Sequence, residues 1–277
     1  MTFKLRKKSR EINVGETAIG GNSQWALIAG PCAIENENMA FVVAEKLRNI
    51  TNQLDIPYIF KGSFDKANRM SLDSDRGIGI DSGLRVLSSI REKYKIPVLT
   101  DIHEPSQVAR VAGAVDCLQI PAFLCRQTDL IVAAAKTGLP MNIKMGQFIS
   151  PEDMVHIAKK AEKSGNGGVM LTDRGTTFGY RDLIVDFRGI DILSRTGWPV
   201  IMDVSHSQQQ PGSVGGSTGG SRHFIPHFAV AALALGADAI FIEVHPDPPN
   251  AISDKQTQWP LDEIEALLTY LKKRFPQ

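Results

Sequence analysis

Short apolar runs recur along this chain, each followed by room for one helix, and that alternation constrains its fold more than any other feature. Eight runs can be read: Ala26–Ala29, Pro57–Phe60, Pro97–Thr100, Cys117–Ile120, Met141–Ile143, Gly168–Leu171, Pro199–Met202 and Ala239–Ile242. Apolar runs of this length between turn residues suit strands buried on both faces, as in an all-parallel sheet. Helix-period segments lie between them. Phe41, Ala44, Leu47 and Ile50 fall three apart, as do Leu84, Leu87 and Ile90. Ser150 ahead of Pro151, Glu152 and Asp153 predicts a capped helix start. Pro226 opens an apolar helix over Phe228–Leu235 that Gly236 closes, and Leu261, Ile264, Leu267, Leu268 and Leu271 mark an amphipathic last helix. Eight βα units favour an α/β fold closed as a (β/α)8 TIM barrel, which needs about 250 residues, over a doubly wound sheet. Residues before Ala26 do not fit the repeat. Ile12–Gly21 reads as a small β-hairpin at the barrel's N-terminal mouth, so the expected division is 1–25 as an extension and 26–277 as one barrel domain.

Bulk properties exclude several classes. A content of 43 % hydrophobic and 22 % charged residues is that of an ordinary globular chain. Thirty-one Lys and Arg against 30 Asp and Glu give a net charge of +1, without the basic excess of a nucleic-acid binder. The one positive run, Lys4 to Arg10, reads as a solvated lead-in. The sequence has no apolar stretch of about 18 residues to cross a membrane and no secretory signal pattern. Three cysteines, Cys32, Cys117 and Cys125, cannot make a disulfide framework, which predicts reduced thiols and a cytoplasmic location.

In a barrel, chemistry gathers at the C-terminal ends of the strands. Polar or soft side chains follow every run: Cys32; Lys61, Lys66 and Arg69; Asp101 and His103; Gln119; Lys144; Asp173 and Arg174; Asp203 and His206; Glu243 and His245, with Asp254 beyond. The opposite ends carry no comparable set, which predicts an enzyme. Lys61, Lys66, Arg69, Lys144 and Arg174 at one mouth would repel one another, so the implied ligand carries phosphate or carboxylate. Cys32, His206, Glu243 and Asp254 combine sulfur, imidazole and carboxylate, a set that suits Zn²⁺, Fe²⁺ or Mn²⁺ better than Mg²⁺. Taken alone, a cysteine flanked by apolar residues is more often packing than ligand, and Cys117 and Cys125 are read as packing. The glycine- and serine-rich stretch 211–221 reads either as a flexible connection or as a mobile lid.

These motifs carry a resemblance. Ile28 to Glu35 (IAGPCAIE) resembles the first barrel loop of the phosphoenolpyruvate–aldose condensing enzymes. Phe60 to Arg69 (FKGSFDKANR) and Gln119 to Asp129 (QIPAFLCRQTD) resemble the 3-deoxy-D-manno-octulosonate-8-phosphate synthases in particular. Asn142 to Lys144, Arg174 to Tyr180, Asp203 to Ser207 and Glu243 to Pro248 match as well. The resemblance implies condensation of phosphoenolpyruvate with arabinose 5-phosphate, for lipopolysaccharide biosynthesis. It implies that Lys61, Lys66, Lys144 and Arg174 hold the phosphate and carboxylate of phosphoenolpyruvate, with Gln119, Pro121, Ala122 and Phe123 lining its pocket. Ser63, Asn68 and Arg69 would contact the phosphosugar, and Arg126 would reach a neighbouring subunit's site, which implies a homotetramer. The family divides into metal-dependent members with cysteine in the first loop and metal-independent members with asparagine. Cys32 places this chain with the former, its ligands Cys32, His206, Glu243 and Asp254. The metal would polarise the aldehyde or position the water; Asp254, Asp101 and His103 are candidates to accept the water's proton.

Two positions depart from the family pattern. Met70 stands where a serine is common after Lys-Ala-Asn-Arg, and Met145 where a second lysine is frequent. Three other functions stay open at this stage: a heptulosonate synthase using erythrose 4-phosphate, a Schiff-base aldolase using Lys144, and a non-catalytic phosphosugar-binding barrel.

Overall fold

A computed structural model describes residues 8–69, 71–180, 182–214 and 217–276. Met70 and most of the basic N-terminal run lie outside the described residues. The chain opens on β1 (Glu11–Val14) and β2 (Thr17–Gly20), an antiparallel hairpin that turns at Gly15, where φ is +56°. The repeat follows: β3 (Ala26–Gly30), α1 (Glu37–Gln53), β4 (Tyr58–Lys61), α2 (Gly79–Tyr94), β5 (Val98–Asp101), α3 (Val108–Ala112), β6 (Cys117–Ile120), α4 (Thr128–Ala135), β7 (Met141–Lys144), α5 (Met154–Lys163) and β8 (Val169–Asp173). A short hairpin, β9 (Thr176–Phe178) and β10 (Asp182–Ile184), precedes α6 (Arg188–Ser194) and β11 (Val200–Asp203). A second, β12 (Gln209–Val214) and β13 (Ser217–Gly220), precedes α7 (Ile225–Ala234) and β14 (Ala239–His245). The two-residue β15 (Trp259–Pro260) extends the sheet beside β14, and α8 (Ile264–Arg274) ends the fold.

Strands β3 to β8, β11 and β14 pair in parallel in that order, and β14 pairs with β3, which closes the eight into a barrel. The expected TIM barrel is therefore what forms. Side chains alternate along each strand. Leu27, Ala29, Phe60, Leu118, Ile143 and Met202 pack outward against the helices. Ala26, Ile28, Ile59, Leu99, Cys117, Met170, Ile201 and Phe241 pack inward. Ile12, Val14 and Ile19 of the hairpin belong to that inner cluster. A Cβ at Gly15 would stand 3.3 Å from Pro97 and one at Gly20 2.9 Å from Pro199, residues just ahead of β5 and β11, so the hairpin stoppers the N-terminal mouth as expected. Among the described residues, the C-terminal mouth is the one left open to a ligand.

Strand ends differ from the sequence reading in a consistent way. Pro57, Pro97, Gly168 and Pro199 fall just outside, accepting hydrogen bonds on their carbonyls from Leu27, Phe60, Met141 and Leu171. A proline has no N–H to give a ladder, so it serves as an entry residue. At the other end β8 runs on to Asp173 and β14 to His245. Those ends carry the buried polar residues Asp173, Glu243 and His245, and an apolar criterion stops short of them. Among the helices, α7 starts at Ile225 with Pro226 in its first turn, and Leu261 lies before α8. Ser150 makes no side-chain cap; Pro151–Asp153 form a 3-10 turn that leads into α5. Over its described part the glycine-rich stretch is no free connection, since it pairs as the hairpin β12 and β13; Gly215 and Gly216 lie outside the described residues.

Candidate active site

A cavity of about 190 Å³ opens at the C-terminal mouth. Two of its lysines stand over the inward ring of Phe241, the Lys144 Nζ 3.1 Å and the Lys61 Nζ 5.8 Å from the ring centroid. Cation and ring face attract each other in such an arrangement. Lys61, Lys144 and Arg174 are at least 94 % buried, so they act in a low-dielectric pocket rather than on a wet rim. Burial pulls the Lys144 ammonium down to about 8, with Asp203 opposing and Lys61 reinforcing the effect. Lys66 donates to Ser63 Oγ at 3.3 Å; burial alone would lower it, but Cys32, Glu243, Asp101 and Asp254 hold it above its ordinary value. Arg174 donates to Gln147 Oε1 at 3.2 Å and Gln209 Oε1 at 2.6 Å, which fixes its fork across the mouth. Gln119, Pro121, Ala122 and Phe123 line the wall, and Asn142 donates to the Gln119 carbonyl at 3.0 Å.

Carboxylates balance these cations. Lys61 donates to Glu243 Oε1 at 2.9 Å and to the Cys32 carbonyl at 2.9 Å. Lys144 donates to Asp203 Oδ2, and the same oxygen accepts from His206 Nδ1 at 2.7 Å. Burial would raise Asp203, yet His206 and Lys144 hold it well below the usual carboxylate range. On the opposite wall Ser63 Oγ donates to Asp101 Oδ1, and His103 Nε2 lies 2.9 Å from Asp101 Oδ2. Burial likewise works to raise Asp101, but His103, Lys66 and Lys61 hold it well below the carboxylate range.

At the cavity's edge, ligand-type atoms of Cys32, Glu243 and Asp254 all lie within 4.8 Å of one another. His206 Nε2 is 3.5 Å from Glu243 Oε1 and 3.7 Å from Asp254 Oδ2. Cys32 Sγ is 3.1 Å from Asp254 Oδ2. Glu243 Oε2 is buried without a hydrogen-bond partner, an expensive state for a charged oxygen unless something else satisfies it. Burial, with Asp254 and Glu243 beside it, pushes the Cys32 thiol up; burial also works to raise Glu243, but His206, Lys61 and Lys66 hold it at about 2. One sulfur and two carboxylates drawn together, an imidazole nitrogen beside both carboxylates and one carboxylate oxygen orphaned, fit a divalent transition metal.

Asp254 enters this group through a backbone at φ +48°, a left-handed conformation uncommon for aspartate. The preceding residues are held from three sides: Ile252 N–H by Glu35 Oε1 at 2.9 Å, Ile252 O by Arg69 at 2.8 Å, and Ser253 O by Gln258 at 2.8 Å. Gln258 Oε1 also accepts the Cys32 N–H at 3.0 Å, which ties the first and last barrel loops together.

The structure thus gathers Lys61, Ser63, Lys66, Asn68, Asp101, Gln119, Pro121, Ala122, Phe123, Lys144, Arg174 and His206 around the cavity. Cys32, Glu243 and Asp254 sit at its edge with His206. Arg69 is not on the wall; its guanidinium holds Ile252 O, Ser253 Oγ and Asp75 O. Arg126 is exposed and off the cavity. Sequence reasoning gave no role to Asp203, Glu35, Gln209 or Gln258. Asp203 was placed on the rim, since it ends β11 as Asp101 ends β5, but given no task; the other three act through contacts that no local pattern announces.

A family model described as the DAHP synthetase I family matches residues 3–276. The 2-dehydro-3-deoxyphosphooctonate aldolase of Granulibacter bethesdensis is 50 % identical over 266 residues, covering 96 % of this chain and 94 % of that protein. The protein of the same name from Geotalea daltonii is 50 % identical over 263 residues, 95 % of this chain and 97 % of its own. That of Rickettsia bellii is 50 % identical over 262 residues, 95 % and 96 %. With a match of this extent and relatives half identical nearly end to end, the chain belongs to the DAHP synthetase I family.

Proposed function

We propose that this chain is a metal-dependent 3-deoxy-8-phosphooctulonate synthase, which condenses phosphoenolpyruvate with D-arabinose 5-phosphate and water and releases phosphate. The observation that carries the reading is the buried set Lys61, Lys144 and Arg174, with Lys66 beside them, around one cavity flanked by the Cys32, His206, Glu243 and Asp254 cluster. The names of the relatives select the octulosonate product over the heptulosonate that the family description also covers.

The reaction joins C3 of the enol to the aldehyde carbon while water adds at C2 and the phosphate leaves. Lys61, Lys66, Lys144 and Arg174 take the carboxylate and phosphate of phosphoenolpyruvate, with Gln119 to Phe123 excluding water from one face. Fixing one reactant in this way is worth up to about 7–11 kcal/mol of barrier. Ser63 and Asn68 face the phosphosugar, and Arg69 supports it from the loop it braces. Asp101, held ionised and hydrogen-bonded to His103, orients the water, whose proton passes to Asp254, Asp101 or His103. Cys32, His206, Glu243 and Asp254 would hold Zn²⁺, Fe²⁺ or Mn²⁺, which when bound supplies a Lewis acid. We further propose that the enzyme is a cytoplasmic homotetramer in which exposed Arg126 completes the neighbouring subunit's phosphosugar site.

Phosphate release from phosphoenolpyruvate, assayed with arabinose 5-phosphate or erythrose 4-phosphate and with or without chelator, tests both parts. Turnover with arabinose 5-phosphate, lost to chelator and restored by divalent ion, is expected. Preference for erythrose 4-phosphate removes the substrate assignment, and full activity after exhaustive chelation removes the metal.

A further inference from the structure

Asp203, like Glu243, is a charged group at the site with no exposed surface, and neither the substrate nor the ligand set accounts for it. It ends β11, two positions before Ser205 and three before His206. Oδ1 accepts the backbone N–H of Ser205 at 3.1 Å and of His206 at 2.9 Å, so the carboxylate cannot rotate. Oδ2 is then aimed at two partners together, His206 Nδ1 at 2.7 Å and the Lys144 ammonium. An acceptor at Nδ1 places that nitrogen's proton and leaves the Nε2 lone pair toward Glu243 and Asp254, 3.5 and 3.7 Å away.

We propose that Asp203 is a positioning residue that sets the His206 tautomer for metal binding and, through the oxygen it shares with Lys144, links the anion pocket to the metal ligands. The inference rests on the functional reading above for the nature of the anion, but its core concerns only this chain's own side chains. Two donors compete for one oxygen. When an anionic ligand draws Lys144 away, the full carboxylate serves His206 and strengthens Nε2 as a ligand; when Lys144 returns, it takes a share back. Partners of metal-ligating histidines commonly matter 10–100-fold in metal affinity.

The test measures cobalt(II) affinity by chelator competition in the otherwise complete protein, with no substrate present. Asp203→Asn keeps the shape and the Oδ1 acceptor for Ser205 and His206 N–H, but turns an NH₂ toward His206 Nδ1. The ring must then accept there and carry its proton on Nε2. Circular dichroism should be unchanged and cobalt affinity should fall about 10–100-fold. Lys144→Met removes the competing donor and should tighten cobalt binding, a sign that structural damage would not produce. A bare loss of positive charge would also tighten it, so the two substitutions are combined. The effect of Lys144→Met should vanish in the Asp203→Asn background. Equal tightening in both backgrounds, or cobalt affinity unchanged in Asp203→Asn, overturns the proposal. If Asp203→Asn does not fold, unchanged or weaker cobalt binding in Lys144→Met overturns it alone. Phosphoenolpyruvate titrated into the wild type separates the two failures: no binding there counts against the functional reading and leaves the cobalt cycle to decide this one.

Discussion

Asp173 closes β8 beside the cavity but not on its wall, and it is 98 % buried. Its Oδ1 accepts the Gly175 N–H at 2.8 Å, and it lines a separate groove with Glu152 and Asp186. Burial pushes this carboxyl from 3.8 to about 6; the Gly175 N–H and Arg174 oppose the rise, and Asp186 adds to it. A carboxyl whose native value lies above its unfolded one binds its proton more tightly when folded. Its contribution is therefore full below pH 4, declines as pH rises between about 4 and 6, and is gone above. At about 1.4 kcal/mol per pH unit, the ionised group costs about 3 kcal/mol at neutral pH. Asp173→Asn keeps the acceptor for Gly175 and removes the charge. The variant should gain about 3 kcal/mol at pH 8, roughly 5 °C in Tm for a chain of this size, and nothing at pH 4. Thermal or urea unfolding of both proteins at pH 4 and 8 checks it, and other carboxylates cancel in the difference. An equal gap at both pH values, or none at pH 8, would refute the burial argument.

Two further substitutions probe the frame and its charges. Gly30 lies so close to β4 that an added Cβ would stand 1.9 Å from the Lys61 carbonyl oxygen, so Gly30→Ala should abolish soluble expression or cost several kcal/mol in unfolding. Lys61→Met strands the Glu243 carboxylate in the core and should cost about 3–5 kcal/mol in metal-free protein, with added divalent ion recovering part of that loss in a Tm measurement.

Much of the barrel was legible because a strand covered on both faces must be apolar at consecutive positions. That rule found all eight strands and failed only where burial stops meaning apolar. Asp173, Glu243 and His245 are strand residues by hydrogen bonding, yet they are polar and buried, so an apolar run ends before them. The hairpin at Ile12–Gly21 was legible from its misfit with the repeat. The pairing of β12 with β13 was not, since glycine-rich segments carry no alternation to read.

The site was legible to the extent that strand ends define it. Lys61, Asp101, Lys144 and Asp203 each close a barrel strand, and topology alone brings them together. Cys32 and Asp254 are 222 residues apart and reach 3.1 Å through Gln258 and Glu35, contacts that no spacing rule anticipates. Arg69 looked like a rim cation and proved to be a brace, because its acceptors join the second loop (Asp75 O) to the last (Ile252 O and Ser253 Oγ).

Clustered cations implied a bound polyanion only on the premise that nothing else neutralised them, and that premise does not hold. Lys61 already pairs with Glu243 and Lys144 with Asp203, both with every partner buried. What makes these pairs available to a ligand is that each carboxylate has a second claimant: Glu243 belongs to the Cys32 cluster and Asp203 to His206. A divalent ion at that cluster would take over Glu243 and leave the Lys61 ammonium needing an anion. The cationic pocket and the metal-type cluster are then two halves of one charge balance, and filling either one raises the demand for the other.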